Sequence, residues 1–192
     1  MRIIGISGKA GHGKDTVGEI LRAEFEVKGK SVLVTHYGDL VKYVATAFFG
    51  WDGNKDEEGR DLLQWVGTDV VRTKVPDYWV NFICQMLQMF PKHWDYVLIP
   101  DVRFPNEIDV PRSMGFDYVH LRVVRPNYQS LLTEEQQQHP SEVALDAVIP
   151  DAVIANDADL ATLRAHAIVF ARMFDTPDPM AEHQSLMKEC YT

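Results

Sequence analysis

The stretch that decides the fold is Gly8-Lys9-Ala10-Gly11-His12-Gly13-Lys14-Asp15-Thr16. It follows an apolar, strand-like run at residues 3–6 and precedes a segment whose apolar residues recur with helical spacing. The spacing Gly8-x4-Gly13-Lys14 is typical of a phosphate-binding loop, or P-loop, in which backbone N–H groups and a helix start hold an oligophosphate and the lysine adds positive charge. We therefore predict an ATP site contacted by Gly11, His12, Gly13, Lys14, Asp15 and Thr16.

Length and composition describe an ordinary globular chain. It has 192 residues, of which 46% are hydrophobic and 24% charged, enough for one α/β domain with a substantial core. The formal charge of −9 argues against nonspecific attraction to nucleic acid. Cys84 and Cys190 form no disulfide framework or metal motif, and no apolar run approaches membrane-spanning length. We expect a cytoplasmic protein without a signal peptide and without nucleic-acid or membrane partners.

Strand-like and helix-like segments alternate along the chain. The predicted strands are 2–7, 31–35, 96–100, 117–124 and 152–155, and the predicted helices are 16–27, 40–49, 60–72, 77–90, 105–114 and 160–174. This alternation predicts an α/β domain over residues 1–175, with a mostly parallel five-stranded sheet covered on both faces. Residues 51–59 are predicted as a loop, residues 126–142 as an excursion from the sheet, and residues 176–192 as a tail. Ligands bind at the carboxyl ends of such strands.

An acid at the end of the third predicted strand indicates a metal site. Asp101 follows an apolar run, and in P-loop proteins an acid there orients Mg2+ or its waters, although it could instead cap the following turn. The Ser or Thr that usually follows the P-loop lysine is replaced by Asp15, and the hydroxyl comes at Thr16. We predict Mg2+ held by Thr16 and Asp101, partly through water. Arg103 points either at a phosphate or at Glu107, four residues on.

A polar stripe recurs every four residues in the segment 60–72. Its members are Arg60, Gln64, Thr68 and Arg72, which share one slowly drifting face if the segment is helical. Two arginines around a glutamine could clamp a monophosphate and contact a base, or the stripe could be a solvated helix face. Trp79 follows and could stack on a base or belong to the core.

Further cations follow the second and fourth predicted strands. Lys42 contacts a phosphate or is simply exposed. Arg122 and Arg125 lie three residues apart, so only one of them faces the site while the strand persists, and Arg125 is the better candidate. The excursion 126–142 is typical of a lid that closes over phosphates. Near its end, Ser141 is either a helix cap or a ligand contact.

These motifs together resemble those of phage-type deoxynucleoside monophosphate kinases, over about residues 1–170. The resemblance is carried by Gly13-Lys14-Asp15-Thr16, Leu63-Gln64-x-x-Gly67-Thr68 with Arg72 and Trp79, Asp101-Val-Arg-Phe-Pro-Asn-Glu107, and His139-x-Ser141-Glu142. It implies a three-layer P-loop nucleoside monophosphate kinase-like fold with a monophosphate-binding region at 51–92 and a lid at 126–142. It also implies transfer of the γ-phosphoryl group of ATP to a deoxynucleoside monophosphate with Mg2+, a homodimer, and host cytoplasm if the chain is phage-encoded.

The resemblance assigns roles to the candidate residues. The predicted catalytic residues are Lys14, Arg103 and Arg125, with Arg122 as a further ATP contact. The predicted monophosphate contacts are Lys42, Arg60, Gln64, Thr68, Arg72, Trp79 and Arg103. Two alternatives stay open: a P-loop kinase for another phosphorylated metabolite, which needs no base pocket, and a non-catalytic nucleotide-binding module.

Overall fold

The computed structural model describes residues 1–54 and 56–175, so the predicted tail at 176–192 lies outside the described residues. The strands are β1 (Arg2–Ser7), β2 (Val32–Val34), β3 (Tyr96–Val102), β4 (Asp117–Val124) and β5 (Ala152–Ala155). The helices are α1 (Lys14–Val27), α2 (Gly38–Phe49), α3 (Glu57–Gln64), α4 (Tyr78–Met89), α5 (Asn106–Ser113), α6 (Glu134–Gln138), α7 (Pro140–Val143) and α8 (Leu160–Phe174). A π-helical segment, Trp65–Arg72, continues directly from α3.

The strands form one parallel sheet in the order β2-β3-β1-β4-β5, which confirms the predicted architecture. Strand β3 is longer than predicted because it stays paired with β1 as far as Ser7 and Val102. Asp101 therefore lies inside the strand rather than after it. Because β1 is central, the P-loop that follows it has β2 and β3 on one side and β4 and β5 on the other.

Each face of the sheet carries its own apolar core. One core joins Ile4 and Ile6 of β1 to Leu21 of α1 and Ala167 of α8. The other joins residues of β1 and β3 to α4 and α5, and it includes Cys84, which is 1% exposed. Alternate β1 residues enter opposite cores, as the pleat of a strand requires. The sheet and the helices on its two faces make the three layers of the fold.

No helix among the described residues is long and apolar enough to cross a bilayer.

The region between α2 and α4 differs most from the prediction. The loop predicted at 51–59 ends earlier, because Asp56 caps α3 by accepting a hydrogen bond from the Gly59 N–H at 2.9 Å. Gly67 does not interrupt the helix, but it lies in the wider π-helical segment. Its carbonyl accepts a hydrogen bond from the buried Trp79 Nε1 at 2.9 Å, and its missing side chain lets Val41 approach closely. Wide turns of this kind often occur at functional sites.

Candidate active site

The P-loop wraps the start of α1 and needs glycine at defined positions. Gly8 and Gly13 have φ values of 146° and 96°, and a Cβ at Gly8 would lie 2.4 Å from the Val123 carbonyl oxygen. Lys14 Nζ donates to the carbonyls of Gly8 (2.7 Å) and Lys9 (3.1 Å). Burial, with a further contribution from Arg103, lowers the pKa of Lys14 to about 8. The loop thus presents a tethered, partly desolvated cation.

A cavity of about 460 Å³ opens where β1, β2 and β3 end. It brings together many of the predicted site residues, which are Gly11, Lys14, Asp15, Lys42, Arg60, Gln64, Thr68, Arg72, Trp79, Asp101 and Arg103. The excursion also contributes to it, through Leu132, Gln136, Ser141 and Glu142. One polar cavity therefore spans the P-loop, the helical region 51–92 and the excursion.

Asp101 is engaged as a cap for α2. Its Oδ1 accepts the backbone N–H of Tyr37 at 3.0 Å, and its Oδ2 accepts the N–H of Gly38 at 2.8 Å. These N–H groups have no partner within the helix, so the carboxylate satisfies them and complements the helix dipole. Asp101 also lines the cavity. Asp101 thus acts as a cap, but for the start of α2 rather than for the turn that follows β3, and each carboxylate oxygen keeps a further lone pair.

Arg103 contacts the end of the excursion. Its Nη1 donates to a Glu142 carboxylate oxygen and to the Ser141 carbonyl at 3.3 Å. The side-chain pair with Glu107 that we considered is not present; Glu107 Oε2 instead accepts the Arg103 backbone N–H at 2.6 Å. Ser141 is not the helix cap either: His139 precedes α7, and its Nδ1 accepts the Ser141 N–H at 3.2 Å.

Glu107 anchors the loop that follows β3. Its carboxylate is buried, accepts the N–H groups of Arg103 and Phe104, and pairs with the Arg72 guanidinium. Burial raises the pKa of Glu107 to about 7, and Arg72 opposes that rise. Arg72 also lies 4.1 Å from the centre of the Phe104 ring and donates to Asn106 Oδ1. The Arg72 guanidinium is therefore held by protein groups, which differs from the predicted monophosphate contact.

Two other predicted contacts are also engaged by the protein. Trp79 is 2% exposed, packs with Val41 and Val66, and donates to the Gly67 carbonyl, so the core interpretation of Trp79 is confirmed. Lys42 Nζ donates to Asp39 Oδ1 at 2.8 Å, and both groups are partly exposed. The stripe Arg60, Gln64 and Thr68 lines the cavity.

The predicted metal residue Thr16 does not line the cavity. It is exposed on α1, whereas its neighbour Asp15 lines the cavity with a side chain that is 85% exposed. The carboxylates of Asp15 and Asp101 supply the hard oxygen donors that Mg2+ takes.

Arg125 lies on the other side of the P-loop. It lines a second cavity of about 380 Å³, together with residues 126–129 after β4 and Asn156–Ala158 after β5. Its guanidinium donates to the Gly11 carbonyl at 3.4 Å and lies 4.7 Å from the centre of the Tyr128 ring. Arg125 therefore lies apart from Lys14 and Arg103, which line the main cavity, because β4 is on the opposite side of β1 from β3; its catalytic role stays a prediction.

Arg122 and His12 support the loops around this second cavity. Arg122 Nη2 donates to the carbonyls of Leu145 and Val148 at 2.7 and 2.9 Å, so it holds the chain before β5 rather than lining either cavity. His12 Nδ1 accepts the Arg125 N–H at 3.3 Å, and burial lowers the pKa of His12. The Asn156 side chain donates to the His12 carbonyl at 3.0 Å. These contacts fix the shape of the P-loop from the β4–β5 side.

Comparison with known proteins decides the family. Residues 41–167 match the family model described as deoxynucleotide monophosphate kinase. The chain belongs to the deoxynucleotide monophosphate kinase family. The match to this kinase family covers the helical region, β3, the Arg103 loop, the excursion and the first half of α8.

Two phage proteins are similar in sequence to this family member. The deoxynucleotide monophosphate kinase of Enterobacteria phage T4 is 36% identical over 106 residues, and that of Escherichia phage RB69 is 34% identical over 106 residues. Each match covers 54% of this chain and 41% of the phage protein. The chain therefore spans less than half the length of these curated relatives.

Two solved structures are similar to this chain in fold. The Mycobacterium tuberculosis APS kinase CysC in complex with AMPPNP and APS is 13% identical with a TM-score of 0.55, and the match covers 91% of this chain and 98% of that one. A sugar kinase from Janibacter sp. HTCC2649 is 15% identical with a TM-score of 0.52, covering 88% and 93% of the two chains. At these identities the likeness shows a shared P-loop kinase fold.

The sequence did not predict that Glu142 lines the site, and it did not predict that Glu107 is a buried anchor of the loop after β3. Glu142 was quoted only as part of the motif His139-x-Ser141-Glu142, and Glu107 only as an alternative partner for Arg103. Both are almost fully buried carboxylates whose side chains are 6% and 2% exposed. The available signal was the presence of acids inside short motifs beside arginines, because a buried carboxylate needs a cation or several N–H donors.

Proposed function

We propose that the protein transfers the γ-phosphoryl group of ATP to a deoxynucleoside 5′-monophosphate, giving ADP and the diphosphate. The observation that carries this proposal is a single cavity lined by Lys14 of the P-loop, Arg103, and the polar face Arg60, Gln64 and Thr68. A P-loop alone does not identify a kinase, because it occurs in many classes of nucleotide-binding protein. Here the part of the cavity outside the P-loop carries the arginines and the Gln64 amide. These groups suit an acceptor that has both a phosphate and a base.

The donor nucleotide is proposed to lie across the P-loop. Its phosphates contact the loop N–H groups and Lys14, at the start of α1. Its nucleoside occupies the second cavity, where Arg125, Tyr128 and Asn156 supply a guanidinium, a ring and an amide. This assignment places the donor base on the β4–β5 side and the acceptor on the β2–β3 side, with the γ-phosphate at the loop between them.

The donor set fits Mg2+ carried with ATP. Asp15 presents an exposed carboxylate to the cavity, and Asp101 keeps lone pairs beyond its two N–H partners. We propose that Asp15 and, through water, Asp101 hold the ion. When bound, Mg2+ neutralises charge on the β- and γ-phosphate oxygens.

The acceptor is proposed to bind against α3 and the π-helical segment. Arg60 and Arg103 contact its phosphate, Gln64 and Thr68 contact the nucleoside, and Arg72 supports Arg103 through Glu107. The attacking phosphate oxygen is already ionised near neutral pH, so the site needs no strong general base. Positioning two anions in line and stabilising the charge that spreads over the transferred group suffice for catalysis.

Residues 126–142 are proposed as the lid and residues 51–92 as the acceptor-binding region of one domain. Leu132 and Gln136 already line the main cavity, so the excursion is placed to exclude water from the transferred phosphoryl group. We also propose a homodimer in the cytoplasm. An exposed apolar face on α4, made by Tyr78, Phe82 and Met86, supports association, and light scattering would test it.

The first experiment measures ADP release from ATP and Mg2+ with dAMP, dGMP, dCMP or dTMP, or a ribose counterpart, as acceptor. We expect strong stimulation by at least one deoxynucleotide and none in Lys14→Ala, which should stay folded because the hydrogen bonds of Lys14 Nζ, to the carbonyls of Gly8 and Lys9, stay within the P-loop. ATP binding without stimulation by any nucleotide would contradict the proposal. That result would favour a kinase for another phosphorylated metabolite or a non-catalytic nucleotide module.

A further inference from the structure

Glu142 joins the excursion to both halves of the main cavity. One carboxylate oxygen, Oε2, accepts the backbone N–H of Ala10 in the P-loop at 3.1 Å, and the other, Oε1, accepts from Arg103 Nη1. The side chain is 6% exposed and lines the cavity. A buried carboxylate with these two partners spans the donor loop and the arginine that follows β3.

The backbone around Glu142 is fixed by a second set of contacts. Lys9 Nζ donates to the Glu142 carbonyl at 2.6 Å and to Asp146 Oδ1 at 2.5 Å. The Ser141 carbonyl accepts from Arg103 Nη1 at 3.3 Å. Short helix α7 is therefore tied to the first half of the P-loop, and its carboxylate is held in place by protein groups.

The geometry at Arg103 leaves one edge of the guanidinium for a ligand. Within residues 1–54 and 56–175, every hydrogen bond of the Arg103 side chain leaves from Nη1, and the side chain is 37% exposed. A guanidinium has five donors in a rigid fork, so a carboxylate on one nitrogen leaves Nη2 and Nε for a second, bidentate contact with a phosphate. Fixing a flexible arginine in advance lowers the entropy lost when the phosphate binds.

We propose that Glu142 is a positioning residue that holds Arg103 at the P-loop so that its other edge meets the acceptor phosphate. This inference rests on the proposed kinase function and adds a residue to it. A carboxylate is required rather than an amide, since both partners are donors. In Glu142→Gln the single carbonyl oxygen can serve either Ala10 or Arg103, and the amide N–H₂ group faces the other donor.

The test is a double-mutant cycle between Glu142→Gln and Arg103→Ala. Steady-state kcat and KM are measured for ATP and for the best acceptor in the wild type, both single variants and the double variant. We expect Glu142→Gln to lower kcat/KM for the acceptor on the order of 10- to 100-fold, as for other small misplacements of reacting groups. KM for ATP should change less than about 2-fold, and Glu142→Gln should add no further loss in the Arg103→Ala background.

Two further variants keep the result interpretable. Glu26→Gln removes an exposed carboxylate near the end of α1, outside both cavities, and should behave as the wild type, which controls for the change in net charge. Glu142→Asp keeps the charge but is one methylene shorter, so it cannot span both partners and should lose acceptor use as Glu142→Gln does. If Glu142→Gln fails to fold, the cycle is measured with Glu142→Asp.

The outcomes separate this inference from the proposed function. Independent, additive losses in the cycle would overturn the positioning role, as would wild-type kinetics in Glu142→Gln. Tighter nucleotide binding and faster turnover in Glu142→Gln would overturn it too, because the carboxylate would then be a competitor of the phosphate. A wild-type protein without acceptor-stimulated turnover would reject the kinase function itself.

Discussion

Replacing Asp101 by alanine should destabilise the protein in the absence of any ligand. The carboxylate accepts the N–H groups of Tyr37 and Gly38 at 3.0 and 2.8 Å, and both bonds are charge-assisted. Hydrogen bonds to charged groups contribute about 1.5 kcal/mol or more each, so the expected loss is about 3 kcal/mol. For a chain of this size that corresponds to a fall of about 6–12 °C in Tm.

The assay is equilibrium urea unfolding followed by circular dichroism, with and without ATP and Mg2+. The cap role of Asp101 predicts a lower unfolding midpoint in buffer alone, with an unchanged slope. Asp15→Ala is the matched control at the cavity, because its exposed carboxylate makes no cap; it should keep the stability of the free protein and lose part of the stabilisation by ATP and Mg2+. Asp159→Ala removes a cap remote from the cavity, on α8, and should lower stability without affecting that ligand response.

A single result would refute the capping argument for Asp101. If the free energy of unfolding of Asp101→Ala without ligand stays within about 0.5 kcal/mol of the wild type, the two N–H bonds contribute little to the fold. A loss of the response to ATP and Mg2+ at unchanged stability would then make Asp101 chiefly a metal residue. The experiment thus separates a capping role from a metal-binding role for Asp101.

Three other predictions concern buried groups near the site. Because the pKa of Lys14 is lowered to about 8, kcat/KM for ATP should fall as pH rises through about 8. Lys14→Arg should be slower than the wild type, but its kcat/KM should not fall over that pH range. A wild-type kcat/KM that stays constant up to about pH 9.5 would contradict this prediction. His120 is buried against Ser7 and its pKa is lowered to about 4, so it stays neutral in the fold while the unfolded chain takes up a proton below about 6.5. The free energy of unfolding should therefore be unaffected by His120 above pH 6.5 and fall by about 2 kcal/mol towards pH 4. The fall should be smaller in His120→Asn, and urea unfolding at several pH values would measure both. Gly8→Ala should abolish ATP binding in calorimetry, since its Cβ would meet the Val123 carbonyl; unchanged affinity would refute the tight loop.

The elements that the sequence predicts well are those with a local signature. The P-loop, the alternation of strands and helices, and the two-sided core follow from glycine spacing and from the period of apolar residues. The extension of β3 could not be predicted, because it depends on the pairing of Ser7 with Val102 across the sheet. The start of α3 was missed for a different reason: Asp56 is a good cap, but charged residues on both sides of it made the segment look like a loop.

Partner choice among buried charges is the part of the site that local pattern predicts least well. Spacing favours Glu107 as the side-chain partner of Arg103, because the two are four residues apart, yet Arg103 pairs with Glu142 and Glu107 pairs with Arg72. These pairs join residues 39 and 35 positions apart. Their formation depends on how α7 and the π-helical segment pack around the cavity, and a sequence period carries no information about that packing.

Strand order explains why Arg103 and Arg125 line different cavities. The rule that ligands bind at the carboxyl ends of parallel strands puts the P-loop, Asp101, Arg103 and Arg125 at one edge, but it does not say on which side of the P-loop each lies. The order β2-β3-β1-β4-β5 divides them, because the residues after β3 and after β4 leave on opposite sides of β1. A loop between two cavities is what transfer between two nucleotides requires, since each substrate can enter without crossing the other. Under the proposed function we expect Arg125 variants to raise KM for ATP and Arg103 variants to raise KM for the acceptor.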